Sequence, residues 1–484
     1  MMYSQLNGLF LKEPQLIFGG GNRHADQKIG LTLYGPSGPP DMPQNIKNVK
    51  VGIIGPGETV SLADAWLEKL KNEVLSLKTP PQLYPPFPGF NSTFDCELII
   101  SKQWKEIITD GEINSLVKIS GSKTRIKKAA DLYAGKLKNL AEREPRPNVA
   151  VCVFSPEIIK YCSTRKDFVP PLADADEPEQ NLEDFMPEAA DLRRLLKIKA
   201  MEIGLPTQLA KHTTFTGKRS DVESVQDEAT RAWNFSVALY YKAGGFPWRA
   251  ADSGFGTCYM GVSFYKEPLQ KNLRTRTSMI QIFTHTGEGL VLRGERLEWD
   301  KTRGESPHLT KEKAFKLIKD ALEVYKRQMG QLPARVVLHK SSRYFSDELE
   351  GFKEACKDVP KFDFVAFGKR EIRFLRKGNY PPLRGTVVKL AKGNYLMYTR
   401  GYVPLYKTYP GHHVPRPLEI LEHHGDLDIQ SVCSEILALT KMNWNSADYS
   451  TREPITLQYS RKIGEILADL PENVQPKPYY YFYM

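Results

Sequence analysis

Cysteine is scarce in this 484-residue chain, limited to Cys96, Cys152, Cys162, Cys258, Cys356 and Cys433. None forms a CxxC pair, which excludes a zinc ribbon and a thioredoxin-like redox motif. Several lie in apolar runs, such as Cys152 in VAVCVF, and the set reads as reduced core residues. No apolar run approaches the ~20 residues that a bilayer span needs. The N-terminal MMYSQLNGLFLKEPQ lacks the basic start and long apolar stretch of a secretory signal, so a cytoplasmic protein is expected. No internal repeat of ~20–50 residues is visible, so a solenoid or propeller is not expected. A dinucleotide-binding fingerprint is also missing. Gly52, Gly55 and Gly57 follow an apparent strand, but their GxxGxG spacing is not GxGxxG, and no convincing ribose-binding acid ends a second strand.

What is present is ordinary in amount and uneven in placement. Hydrophobic residues make up 41% and charged residues 26%, as in a soluble globular protein. The length suggests two or three domains. The net charge of +11 and pI near 9.1 suggest a polyanionic partner. The acidic stretch LADADEPEQNLEDFMPEAAD, Leu172 to Asp191, contains no Lys or Arg. The rest of the chain is therefore more basic than the total implies. This asymmetry favours a nucleic-acid protein carrying an acidic surface loop, here residues 172–191.

Along the chain, residues 1–44 are rich in Gly and Pro and read as a loop-rich lead-in with short strands. NVKVGIIGPGE then reads as a buried strand entering a helix with Leu62, Trp66, Leu67, Leu70 and Val74 at helical spacing. DCELIIS and NVAVCVFSP add strands, and a basic helix runs through KTRIKKAADLYAGKLKNLAERE. Alternating strands and helices predict an open α/β sheet over residues 45–245. The character changes after Phe246. GTCYMGVSFYKE, SMIQIFTHTGEG and VLRGERLEW predict three antiparallel strands, followed by an amphipathic helix with Phe315, Ile318, Leu322 and Tyr325 on one face. ARVVLHKSSRYF, FDFVAFGKREIRFLR, TVVKLAKGNYLMYTRG and YVPLYKTYPG predict further strands, and two helices close the region 246–484. This order resembles the ribonuclease H arrangement. The pairs His412–His413 and His423–His424 read as surface or loop residues, because neighbours on a helix or strand do not face one metal.

Several local patterns then occur in a telling order: LIFGGGNRHADQKIGLTLYGP, GLPTQ, LYYKAGG, KMNWNS and EPITLQYSRKIG. Together they make the sequence similar to a short prokaryotic Argonaute over nearly the whole chain. The resemblance implies a Rossmann-like MID domain, 45–245, followed by a ribonuclease H-like PIWI domain, 246–484. It implies a guide RNA, a single-stranded DNA target and a role in prokaryotic defence against plasmids or phage. It also implies a separate or fused effector with an APAZ region and a TIR, sirtuin-type or nuclease domain; no such segment is read in this sequence. The alternatives are a nuclease acting alone and a nucleic-acid scaffold that uses no guide.

Two sets of residues carry the chemistry. Arg193 and Lys197 are four apart on an expected helix and so share a face. Gln208 lies in the turn after it, and Lys242 ends the next helix. Cations and an amide converging near a helix N-terminus can hold a terminal phosphate. Arg193, Lys197, Gln208 and Lys242 match the order in which Argonautes grip a guide 5′ phosphate, with Lys211 as an extra contact. The aromatic tail Tyr479, Tyr480, Tyr481, Phe482 and Tyr483 is expected to pack between the domains, with stacking on guide bases as the alternative. The resemblance further implies a Mg²⁺ held by Gln208 and the Met484 carboxylate.

The second set is defined by what it lacks. A ribonuclease H-type nuclease needs three or four carboxylates around two Mg²⁺ ions roughly 4 Å apart. The positions where active PIWI domains carry them hold Ser263, then Ser341 or Ser342, then Ser460, Arg461 or Lys462. Glu288 is a single candidate carboxylate, too few to assemble a metal pair. Cleavage by this chain is therefore not expected.

Overall fold

The computed structural model describes residues 8–38, 45–162, 191–217, 226–251, 254, 256–265, 275–284, 289–298, 307–368, 370–376, 381–390, 393–411, 414–471, 474 and 476–484. The acidic stretch before Asp191, Glu288, His412 and His413 lie outside them.

The chain opens with β1 (Gly8–Phe10), β2 (Leu16–Ile17), β3 (Arg23–His24) and α1 (Gln27–Tyr34). The first α/β unit follows as β4 (Asn48–Pro56), α2 (Gly57–Lys69), α3 (Phe90–Phe94), β5 (Glu97–Ile108), α4 (Asp110–Val117) and α5 (Ser122–Ala141). It continues as β6 (Val149–Phe154), α6 (Pro156–Cys162), α7 (Leu192–Ile203), β7 (Thr207–Lys211), α8 (His212–Thr216) and α9 (Glu228–Lys242). Its four strands run parallel in the order β5-β4-β6-β7, as the alternating pattern predicts. All six residues of VAVCVF in β6 are buried, because helices cover both faces of a parallel sheet. Gly55 serves packing between strand and helix: a Cβ there would stand 2.8 Å from the Thr59 hydroxyl.

The second unit comprises β8 (Arg249–Ala250), β9 (Thr257–Tyr265), β10 (Thr275–Thr284), β11 (Gly289–Glu298), α10 (Lys311–Met329), β12 (Arg335–Lys340), α11 (Ser346–Ala355) and β13 (Lys361–Gly368). It ends with β14 (Thr386–Lys389), β15 (Tyr395–Met397), β16 (Leu418–Gly425), α12 (Ile429–Leu439) and α13 (Ile455–Ala468). Nine strands form one sheet, β1-β14-β15-β16-β13-β12-β9-β10-β11. Strands β9, β10 and β11 are antiparallel neighbours, and β12 lies parallel to both β9 and β13. The expected three strands, helix and strand are all there. On α10, Ile318, Leu322 and Tyr325 are buried against this sheet and Phe315 partly so, each full burial worth ~2 kcal/mol.

The lead-in carries short strands, as expected: β1 pairs with β14 at the edge of the nine-stranded sheet, and β2 pairs with β8. Two expectations change. YVPLYKTYPG folds back on itself as a turn bridged by Val403 and Thr408, with Lys407 at φ 54, rather than forming a strand. LEILEHHG, whose His423 and His424 read as surface or loop residues, is β16, paired with β13 and β15. His423 and His424 therefore sit on a strand. His423 meets the Asp363 carboxylate at 2.7 Å, and His424 meets Glu422 at 3.0 Å. The reason is tertiary: Asp363 is buried and already paired with Arg335 at 2.6 Å, and His423 supplies another partner.

The two units share one apolar core. Val151, Trp233, Tyr259, Val337, Trp444, Tyr459, Ile463, Tyr480 and Met484 all belong to it. A buried ion pair, Arg194 to Asp469 at 2.7 Å, joins α7 to the end of α13. Helix α13 lies close on β9, and Gly261 permits this. A Cβ there would fall 2.2 Å from the Thr456 carbonyl oxygen. Gly261→Ala is expected to lower stability by about 1–3 kcal/mol, because backbone rather than a movable side chain must give way. An unchanged denaturant midpoint would contradict this packing.

Candidate functional site

Helix α7 is built to present one basic face. Asp191 caps it by accepting from the Arg193 amide at 2.8 Å. Gly204, at φ 76, ends it in the left-handed conformation, and Pro206 turns the chain into β7. This reversal brings Gln208 back alongside Lys197. Helix α9 ends at Lys242, and the chain then turns sharply under the Tyr240 ring. Only glycine fits there, since a Cβ on Gly245 would lie 2.3 Å from that ring.

Arg193, Lys197, Gln208 and Lys242 converge as expected. The Lys242 ammonium donates to Gln208 Oε1 at 2.6 Å and to Asn445 Oδ1 at 2.9 Å. The Lys197 ammonium donates to the Thr207 carbonyl at 2.6 Å. Both lysines are buried, at 1% and 2% exposure. Every one of these acceptors is neutral. Among the described residues no carboxylate pairs with Arg193, Lys197 or Lys242. The nearby Cys152 is no counter-charge, because burial pushes its thiol up to about 12.

This poverty of anions shows in the titration of the lysines. Burial, and then the Arg193 guanidinium, push Lys242 down to about 7. Burial, then Lys242 and Arg193, hold Lys197 well below the usual lysine range. The Thr207 hydroxyl beside them is buried without a hydrogen-bond partner. Three basic side chains and a spare hydroxyl are together of the chemistry that a compact anion requires.

The group gathers where the N-terminal half of α7, carrying Arg193 and Lys197, meets the C-terminal end of α9; that end of the helix dipole favours the cation Lys242. Lys211 lies three residues along β7 from Gln208, roughly 10 Å by strand rise, where it precedes α8. Met484 is buried in the shared core, and its carboxylate forms no ion pair with the three cations among the described residues. The expected Mg²⁺ does not fit the residues as arranged. The Gln208 oxygen that would ligate it accepts from Lys242, and the surrounding charge is positive.

The tail packs between the units. Tyr479 bridges Leu290 on β11, and the short 3-10 turn Tyr480–Phe482 touches α7, α9 and β11. Tyr480 meets Tyr459 edge-on at 4.2 Å. Tyr479 remains half-exposed, stacked on Tyr481 at 5.5 Å.

The expected nuclease positions are also brought together. Lys340 is level with Val262, which sets Ser341 level with Ser263 at the ends of adjacent strands. The Ser263 hydroxyl donates to the Ser460 carbonyl at 3.3 Å, while the Ser460 hydroxyl donates within its own helix to Leu457 at 2.8 Å. Beside them His339 Nδ1 meets the Thr456 hydroxyl at 2.7 Å, and burial holds this imidazole neutral, down to about 3. Ser342 follows Ser341 in the loop after β12, and the Lys462 ammonium lies 5.8 Å from the Tyr459 ring centre. The Arg461 side chain is outside the described residues. Among the described residues, no group of three His, Cys, Asp or Glu is placed to hold a metal.

Sequence reading singled out KMNWNS as a pattern but gave its Asn445 no part in the basic group, because nothing in linear spacing ties residue 445 to Lys242.

Comparison with known proteins gives a consistent picture. No family model matches the chain. A 159-residue stretch is 26% identical to the protein argonaute of Aquifex aeolicus, covering 31% of this chain and 20% of that protein. The structure of Clostridium butyricum Argonaute bound to a guide DNA and a 19-mer target DNA matches with a TM-score of 0.65 at 17% identity. That match covers 99% of this chain and 55% of the other. Drosophila Piwi matches with a TM-score of 0.61 at 14% identity, covering 99% and 56%. At such identities the structural likeness speaks for the fold. The chain spans about half the length of the solved structures it matches.

Proposed function

We propose that this chain, similar in part of its sequence to an Argonaute and in fold to solved Argonaute structures, holds a short guide strand by its 5′ phosphate and recognises a complementary strand without cutting it. One observation carries the reading: Lys197 and Lys242 are buried beside Arg193 with only neutral acceptors. Burying a cation without a counter-charge is costly. A terminal phosphate supplies that charge and accepts from every donor in the group. Arg193 offers a planar fork for two phosphate oxygens, while the lysines act as point charges.

The guide is proposed to be RNA and the target single-stranded DNA, following the likeness to short prokaryotic Argonautes. An APAZ-containing effector is proposed as the partner, acting in defence against plasmids or phage. With no carboxylate among Ser263, Ser341 and Ser460, recognition is expected to be reported by that partner.

The test is direct. A guide bearing a 5′ phosphate is expected to bind far more tightly than the same strand with a 5′ hydroxyl, with RNA and DNA versions compared side by side. Equal affinities would overturn the reading. With Mg²⁺ or Mn²⁺ added, a clean preparation loaded with guide is expected to leave a complementary target intact. Guide-directed cutting that persists through purification would refute the second half. Sequencing the nucleic acid that copurifies, and identifying the protein that comes with it, tests the partner.

A further inference from the structure

The loop between α12 and α13 is fastened to the other domain at two points. The Ala447 amide donates to Asn234 Oδ1 at 2.9 Å, and Asn445 Oδ1 accepts from Lys242 at 2.9 Å. Asn234 and Lys242 are eight residues apart on α9, roughly 12 Å along its axis. Between them the Trp444 ring packs 4.8 Å from Tyr241 and 5.6 Å from Phe246. Asn443 stiffens the loop from within. Its Oδ1 accepts from the Asn445 amide at 3.0 Å and from the Tyr459 hydroxyl on α13. Its amide nitrogen donates to Ser446 at 3.2 Å. Asn445 is therefore held, not draped, against the cationic group.

We propose that Asn445 is a positioning residue of the 5′-phosphate pocket, contributed by the PIWI side, which aims Lys242 while leaving its charge uncompensated. The inference rests on the guide-phosphate reading above. The chemistry of the side chain decides it. An ammonium only donates, so the Asn445 atom facing Lys242 is the carbonyl oxygen. That leaves the Nδ2 hydrogens free in principle to donate to a second acceptor, such as a phosphate oxygen. Gln208 does the same from the MID side. Two amides thus fix the lysine from two directions without neutralising it. The acidic isostere at either position, Asp for Asn445 or Glu for Gln208, would keep the hydrogen bond and cancel the charge. The pocket is then complete only when the two domains are docked, and its preference for phosphate depends on a neutral amide in a loop that sequence spacing does not connect to it.

The test uses the full chain and two otherwise identical guides, one with a 5′ phosphate and one with a 5′ hydroxyl. Asn445→Asp is expected to weaken phosphorylated-guide binding roughly ten- to a hundredfold, the scale of one charge-assisted contact. Hydroxyl-guide binding should stay within about twofold, the scale of an unperturbed contact. Asn445→Ala should lose less, roughly three- to tenfold, because Lys242 keeps its charge and loses only its aim. Melting temperatures of both variants report whether the fold survives. Three outcomes overturn the proposal: unchanged discrimination in Asn445→Asp, equal losses for both guides, or a larger loss in Asn445→Ala than in Asn445→Asp. If the unmodified protein fails to discriminate, the guide-phosphate reading itself falls. If Lys242→Ala abolishes discrimination while Asn445→Asp retains it, only this inference falls.

Discussion

Replacing Lys197 by Met is expected to make the free protein more stable and its guide binding weaker. Lys197 is 1% exposed, its ammonium donates to one backbone carbonyl, and its charged form is disfavoured by burial and by two neighbouring cations. Methionine has a similar length and no charge to desolvate. Exchanging a buried, poorly compensated charge for an apolar side chain is commonly neutral or stabilising by ~1–4 kcal/mol. For a chain of this size unfolding as one unit, that is a rise in melting temperature on the order of 1 °C per kcal/mol. The same exchange removes a charged donor to the phosphate. Such contacts are worth ~1.5–3 kcal/mol, so affinity for a 5′-phosphorylated guide should fall roughly ten- to a hundredfold. A merely structural lysine would behave otherwise: its loss would lower stability and leave the phosphate preference untouched. Thermal unfolding together with paired guide titrations separates the two.

Guide affinity should also fall as pH rises above about 7, while the free protein becomes more stable. The sign follows from Lys242, whose pKa in the empty pocket is pushed down to about 7 by burial and by Arg193. An unfolded lysine titrates near its ordinary value of ~10.4. Between these values the unfolded chain binds more protons than the folded one, so stability rises with pH across that window. Bound phosphate pulls the other way. It supplies the counter-charge and raises the lysine pKa, so binding takes up a proton wherever the empty pocket has already lost it. Above pH 7 each added unit should weaken binding up to about tenfold for Lys242. Lys197, also depressed, adds in the same direction. A guide lacking the phosphate should show little of this slope. Below about pH 6 the phosphate itself takes up a proton, so affinity should peak near neutrality. A flat profile for the phosphorylated guide from pH 6.5 to 9 would mean that the lysines do not meet the phosphate.

Much of this was legible in one dimension, and particular residues show why. Arg193 and Lys197 share a helix face by spacing alone, and α7 and its Gly204 stop obey local rules. Strands β4, β6 and β12 announce themselves as apolar runs because helices bury both their faces. The serines at the expected metal positions could be read because the order of strands located them. Other features gave no local signal. YVPLYKTYPG has the β-branched and aromatic content of a strand, yet its chain reverses between Val403 and Thr408. LEILEHHG looks too polar for a central strand until Asp363 is seen to need a partner for its buried carboxylate.

The sequence by itself determined the two α/β units, their order and the residue types able to grip an anion, because periodicity, caps and turn residues act over a few neighbours. The tertiary structure alone decided that β1 from the first ten residues edges the second unit's sheet. It alone brought Asn445 to the basic group. It alone set Lys197 and Lys242 out of water, with no carboxylate paired to them among the described residues. Those outcomes depend on which surfaces meet when residues some two hundred positions apart are packed together, and on the dielectric they find there. Charge can be counted along a chain, but the cost of burying it is fixed only by what lies around it in the folded protein.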